Sequence, residues 1–371
     1  MAVETDIPEA DCAAGALHPR FSRHLIGRDR QQQTFLTAVR EDRLHHAWLI
    51  SGPRGIGKAT LAWKIARFLL SQPVLGHDLL GPPTDLDSDP DAPVAHRIDA
   101  LAEQGLYLLR RPWDPKTKKL RAFITVDEVR ALKRFFHLSL TESGRRVVIV
   151  DCADEMNTAA ANALLKLLEE PPPQTVFLIV CHMPSRLLPT VRSRCRTLPC
   201  LPLTEDEVVE ILTGIDDTLD HDTAEALARL SDGSVGVALW LHQHNGPALM
   251  NEVQALFATM PAVDRMRALA LATSLAQRDA ADRCELFLQL FDAFLADLAR
   301  AGVLAQSGGS PRADLLRRLS PTPAAGRHWA EARQEMTARV RNGLAVNLDP
   351  HSLILDMIFR VDALAGQCAA S

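Results

Sequence analysis

The chain has 371 residues, is 47% hydrophobic and carries a formal net charge of -5, a size that fits two or three domains of about 100–200 residues each. The acidic balance argues against a protein that grips nucleic acid alone through a broad basic face, because such binding rests on phosphate neutralisation by Lys and Arg. The scattered cysteines (Cys12, Cys152, Cys181, Cys195, Cys200, Cys284, Cys368) form no C-x-x-C pair and no disulfide scaffold, and no leader or apolar run of about 18 residues is present, so a cytoplasmic protein without membrane contact is expected.

Residues 1–20 are rich in Ala, Asp and Glu without an apolar period and read as a flexible tail. A helix is expected from Arg28 to Val39, then a short apolar strand at Ala47-Trp48-Leu49-Ile50. After a glycine loop, Leu61, Ile65, Phe68 and Leu69 recur at helical spacing and give one buried face. Pro, Asp and Gly then fill a stretch at about 72–96, which cannot hold a regular helix or central strand and reads as a surface insertion. Further on come a helix near Val126 to Phe136 and two buried strands, Val147 to Val150 and Val176 to Val180. Between those strands Ala159 to Leu168 forms a helix stopped by Pro171-Pro172-Pro173. Alternating strands and helices indicate an α/β core with a mostly parallel sheet. From about Leu203 strand signals vanish, leaving a small helical domain and then a larger one. Its last helix starts at Asn347-Leu348-Asp349-Pro350 and places Leu353, Ile354, Met357, Ile358, Val361 and Leu364 on one face.

The loop Gly52-Pro53-Arg54-Gly55-Ile56-Gly57-Lys58-Ala59 fits G-x-x-x-x-G-K-[S/T] except at its last position. Glycines let the backbone turn amide N–H groups toward a phosphate, the lysine neutralises terminal phosphates, and the helix N-terminus adds partial positive charge. A plain glycine turn before a helix is the bland alternative; placement between a strand and an amphipathic helix favours a P-loop. Ala59 lacks the hydroxyl that ligates magnesium, and Thr60 is rotated by about 100° from that position. ATP or ADP, held weakly or left unhydrolysed, is therefore expected, with poor magnesium placement.

The strand Val147-Val148-Ile149-Val150 ends in Asp151, where a P-loop ATPase holds its magnesium water shell. Cys152 follows, and a thiol is a poor base at neutral pH. Asp154 and Glu155, in the turn leaving the strand, are expected to cap the helix beginning near Asn157, with replacement of the missing base as the alternative. Cys152 and Cys181 end neighbouring strands; a redox or metal pair competes there with buried thiols acting as small apolar groups. The basic run Arg110 to Arg121 reads as a solvated hairpin, with contact to template DNA or a partner as its alternative.

Downstream, Ser193-Arg194-Cys195 follows Pro184 to Arg192, and Asn162 to Pro171 reads Asn-Ala-Leu-Leu-Lys-Leu-Leu-Glu-Glu-Pro. With His46-Ala47, Gly52 to Lys58 and Asp151, these landmarks resemble the AAA+ clamp loaders of bacterial DNA polymerase III, and within them the delta-prime branch. That resemblance implies a AAA+ core at 21–201, a helical lid at 202–246 and a helical collar at 247–371. It implies a largely non-hydrolysing stator: Cys152 stands for the catalytic glutamate, Ala59 for the metal-binding hydroxyl, and Gly236 in Gly233-Ser234-Val235-Gly236 for a sensor arginine. Arg194 becomes an arginine finger offered in trans to a neighbouring ATPase, with pairing to a carboxylate at a helix end as its alternative, and Arg192 and Arg196 become surface or interface charges. The implied partners are the gamma/tau ATPase and delta subunits, and, through the assembled ring, the sliding clamp and primer-template DNA at the replisome. The family's cysteine zinc module has no counterpart, since residues 71–150 lack cysteine. An active gamma/tau-like ATPase or branch-migration motor using Lys58 and Asp151, and a protein-binding adaptor, are the competing readings.

Overall fold

A sheet buried on both faces organises the first part of the chain. The computed structural model describes residues 9–12, 16–23, 25–72, 83–137, 144–277, 280–304, 310–346 and 348–370. Residues 1–8 and 13–15 of the expected tail, 73–82 of the insertion, and Asn347 at the expected start of the last helix lie outside them. Packing divides the chain into Met1–Trp240 and Leu241–Ser371.

In chain order the first unit contains α1 (Asp29–Arg40), β1 (Ala47–Ser51), α2 (Lys58–Ser71), α3 (Pro93–Asp99), β2 (Leu106–Arg110), β3 (Trp113–Asp114), β4 (Lys119–Leu120) and α4 (Val126–Phe136). It continues with β5 (Arg146–Asp151), α5 (Thr158–Glu169), β6 (Thr175–Cys181), α6 (Pro189–Arg192), β7 (Arg196–Pro199), α7 (Glu205–Ile215) and α8 (His221–Leu230). A further helix, α9 (Val235–Gln243), runs through the division. The main sheet has five strands in the order β2-β5-β6-β1-β7, all parallel. The expected α/β core with a parallel sheet is thus observed.

Alternation along the strands sorts side chains into two cores, as a period of two requires. Trp48 and Ile50, Val147 and Ile149, and Val176, Leu178 and Val180 face one core together with Phe35, Leu61, Trp63 and Phe68 of α1 and α2. Ala47 and Leu49, Val148 and Val150, and Phe177, Ile179 and Cys181 face the other, against Val129 and Leu132 of α4 and Leu164 and Leu168 of α5. The residues of β1, β5 and β6 are all buried, which is why these strands read as continuous apolar runs in sequence. β2 and β7 were not expected. Both are edge strands, half-exposed in β2 and with three of four residues exposed in β7, so neither carries an uninterrupted apolar signal.

The tail expectation is corrected wherever it falls on described residues. His18 Nε2 lies 3.1 Å from Asp11 Oδ2, and Arg110, at the end of β2, pairs with Glu9 at 2.7 Å and with Asp11. Arg67 of α2 donates to the carbonyls of Arg20 and Ser22. These ion pairs and backbone bonds hold the segment on the core although its composition lacks an apolar period. Part of the insertion also packs: Leu86 is buried in the first core and Lys64 pairs with Asp87 at 2.6 Å. The basic run forms the antiparallel β3–β4 hairpin, with residues 115–119 exposed.

The second unit is helical: α10 (Gly246–Ala258), α11 (Arg265–Leu275), α12 (Ala281–Val303), α13 (Pro311–Leu319), α14 (Pro323–Ala345) and α15 (Pro350–Ala370). Its core stacks Phe257 against Phe291 and Phe294, with ring centroids 5.1 and 4.4 Å apart. Gly302 of α12 and Gly326 of α14 allow the two backbones to touch, since a Cβ on Gly326 would lie 2.7 Å from the Ala299 carbonyl oxygen.

Candidate functional site

The glycine loop follows the C-terminal end of β1 and opens α2 at Lys58. Its carbonyls are braced from several directions. Arg28, 2% exposed, donates from Nη2 to Ile56 O at 2.6 Å; Ser234 Oγ donates to Arg54 O at 2.9 Å; the Gly236 N–H donates to Gly55 O at 2.9 Å. Among the described residues, no group accepts a hydrogen bond from the backbone N–H of Gly55, Ile56 or Gly57. With carbonyls tied back and amides free, the loop has the polarity of an anion cradle. Gly55 sits at φ +75, and a Cβ there would lie 2.4 Å from Ser234 Oγ; only glycine lets the loop and the Ser234 segment approach so closely.

Lys58 is 3% exposed and its ammonium is turned onto the loop's own Pro53 carbonyl. Burial holds its pKa below the usual lysine range, against the pull of Cys152, Cys200, Asp151 and Asp154. Asp151 ends β5 beside it and is 7% exposed. Burial first, then the carboxylates of Asp11 and Glu155, push its pKa up to about 7, against Lys58 and Arg54. A phosphate chain fits this donor set. A magnesium ion fits it less well, since Ala59 offers no hydroxyl and Asp151 is partly protonated near neutrality.

Cys152 follows Asp151 at the end of β5, and its S–H donates to Asp154 Oδ1 at 2.7 Å. Burial, this hydrogen bond and the neighbouring carboxylates raise the thiol pKa far above the ordinary cysteine value. Cys181 is raised to about 12, chiefly by burial. Both are free, protonated and buried, which matches the apolar alternative for the pair.

Asp154 does not cap α5. Asn157 does, accepting from the Ala160 N–H at 2.8 Å. Asp154 instead accepts the N–H groups of His182 at 2.8 Å and Met183 at 3.2 Å, tying the loop after β5 to the end of β6. Burial works against its ionisation, but these bonds and the Cys152 thiol keep its pKa below the ordinary value. Glu155 pairs with Arg111 at 2.6 Å. Arg28, Ser234 and Asp154 were not singled out as site residues in sequence, because each acts through a partner distant along the chain.

Arg194 stands elsewhere. It lies just before β7, whose first residue Arg196 registers with Trp48 near the start of β1. Its Nη2 is 2.8 Å from Glu169 Oε1 at the end of α5, and its Nη1 donates to Thr190 O at 3.0 Å. The end of α5 is fixed by its approach to His46, whose Nε2 is 3.1 Å from Leu168 O just ahead of β1. Arg194 therefore sits at the N-terminal edge of the sheet, whereas Gly52 to Lys58 sit at the C-terminal edge, roughly 15 Å away along β1. The carboxylate pairing expected as the alternative role for Arg194 is present, with 36% of the arginine side chain still exposed. Arg192 donates to Pro184 O at 3.4 Å, and Arg196 stacks 4.9 Å from the Trp48 ring centroid.

Residues 27–204 match the family described as DNA polymerase III, delta subunit. The DNA polymerase III subunit delta' of Pseudomonas aeruginosa is 36% identical over 53% of this chain and 56% of its own length. The subunit delta' of Escherichia coli is 34% identical over 62% of this chain and 65% of its own. The DNA polymerase III subunit gamma of Buchnera aphidicola is 28% identical over 66% of this chain and 65% of its own. The chain thus matches between about half and two thirds of these relatives. The order of motifs on a parallel P-loop core, the family match and the similarity to two delta' subunits converge on the first unit: residues 27–204 match the DNA polymerase III delta-subunit family and resemble its delta' members.

Proposed function

We propose that this chain is a largely non-hydrolysing AAA+ stator of a clamp loader, with Arg194 as an arginine finger for the nucleotide of a neighbouring gamma/tau-type ATPase subunit. The carrying observation is the placement of Arg194: partly exposed, and on the opposite sheet edge from the chain's own phosphate loop. An arginine there cannot serve its own nucleotide, but it is available to one bound across an interface. A guanidinium beside the transferred phosphoryl group stabilises the charge that spreads onto its oxygens. The chain's own loop supports retained binding of ATP or ADP through the Gly55 to Gly57 amides and Lys58. It argues against turnover, because Cys152 is protonated and Ala59 carries no metal ligand.

In this reading 202–246 is the lid and 247–371 the collar that joins delta and gamma/tau subunits. The assembled ring, working in the cytoplasm at the replisome, loads the sliding clamp onto primer-template DNA. The test is reconstitution with an ATPase loader subunit and measurement of DNA-stimulated ATP hydrolysis. Arg194→Ala should abolish most of it and Lys58→Ala should spare it. The reverse pattern would overturn the proposal in favour of an ATPase motor, as would substantial Lys58-dependent turnover by the isolated chain.

A further inference from the structure

Arg194 is already engaged in this chain. Its Nη2 contacts Glu169 Oε1 at 2.8 Å, while Nη1 is spent on the Thr190 carbonyl. Glu169 ends α5, and its neighbour Leu168 is buried in the core with its carbonyl oxygen 3.1 Å from His46 Nε2. The carboxylate is thus carried on a fixed helix end, although its own side chain is 42% exposed. Two electrostatic features make this pair easy to exchange. Ion pairs exposed to this degree are weak, and carboxylate and phosphate oxygens offer a guanidinium fork similar acceptors. Glu169 and Glu170 also lie at the negative end of α5, where a helix disfavours anions and favours a cation.

We propose that Glu169 is a positioning residue: it parks the Arg194 guanidinium in the unassembled subunit and competes for it with the terminal phosphate held by the neighbour. The inference rests on the finger role proposed for Arg194. Engagement then exchanges one anionic partner for another at the same nitrogen, and Glu169 sets how readily the finger is released without touching the reacting atoms. Glu169→Gln keeps the size and hydrogen-bonding oxygen of the side chain while removing the charge, so it should ease release. It should not alter the rate once the arginine is engaged.

The experiment measures ATP turnover by the partner ATPase subunit against the concentration of this chain, in the reconstituted complex. Glu169→Gln should lower the half-activating concentration by about two- to fivefold, with maximal turnover and melting temperature unchanged. In an Arg194→Ala background, where activation is lost, the affinity of this chain for the ATPase subunit should be the same with and without Glu169→Gln, which a general structural role would not predict. If Arg194→Ala abolishes activation but Glu169→Gln leaves the midpoint in place, or lowers the maximum, the parking role is overturned and the finger role stands. If Arg194→Ala leaves turnover unchanged, the finger role fails and the parking role with it.

Discussion

The two edges of the sheet hold their charged side chains in opposite states. At the C-terminal edge, Lys58 and Asp151 are nearly sealed, the loop carbonyls are tied to Arg28, Ser234 and Gly236, and the residue after Asp151 is a protonated thiol. At the N-terminal edge, Arg194 is held by one partly exposed ion pair and one carbonyl. One edge is sealed and braced; the other is held by contacts open to solvent. On the proposed reading, a core that does not turn over nucleotide at its own loop still offers an arginine to a neighbour from its other edge.

This contrast can be broken most sharply at Arg194. Arg194→Ala should reduce partner turnover by about 10³-fold or more while changing this chain's stability by no more than about 1 kcal/mol, read by reconstituted ATPase rates and urea unfolding. The sealed edge should respond in the opposite manner. Gly55→Ala forces a Cβ onto Ser234 Oγ at a positive φ, and a loss of about 1–3 kcal/mol of stability is expected, with partner turnover retained in whatever fraction remains folded.

Asp151 sharpens the comparison through pH. Its folded pKa of about 7 lies above its ordinary value of 3.8, so the folded state holds the proton more tightly and stability falls as pH rises between those values. His182 opposes this at lower pH. Burial and then Lys58 pull it down to about 4, so its contribution is lost as pH drops below about 6.5. The difference between wild type and Asp151→Asn isolates the carboxyl: as pH rises toward about 7 the wild-type urea midpoint should fall relative to that of Asp151→Asn. The smallest effect is expected from Lys58→Ala, which should change partner turnover by less than about twofold and reduce nucleotide retention by the isolated chain, read by equilibrium dialysis of ADP.

Much of the core was legible because β1, β5 and β6 are buried on both faces, and burial writes itself as Ala47 to Ile50, Val147 to Val150 and Val176 to Val180. The phosphate loop was legible because its glycines and lysine are contiguous. β2 and β7 were hidden since edge strands mix exposed and buried residues. The roles of Arg28, Ser234 and Asp154 depend on Ile56, Arg54 and His182 respectively, pairings that no local pattern encodes. Arg194 stood out only through its motif, and its contact with Glu169 required the fold to return α5 to the N-terminal edge. Asp154 illustrates how a local rule fails: an acid ahead of a helix reads as a cap, but Asn157 is better placed, which frees Asp154 to stitch two strand ends together.

The pairing of Glu9 and Asp11 with Arg110 and His18 bears on how the protein can be dissected. A fragment begun at residue 21, where composition invites a cut, would strip both carboxylates from a guanidinium only 22% exposed at the end of β2. It would also remove the Arg20 carbonyl from Arg67, whose buried charge already holds its pKa down at about 10. A truncation there would be read as an unstable core, when the fault would lie in Arg110 stripped of both carboxylates and Arg67 left with the Ser22 carbonyl alone of its carbonyl acceptors; expression boundaries belong upstream of Glu9.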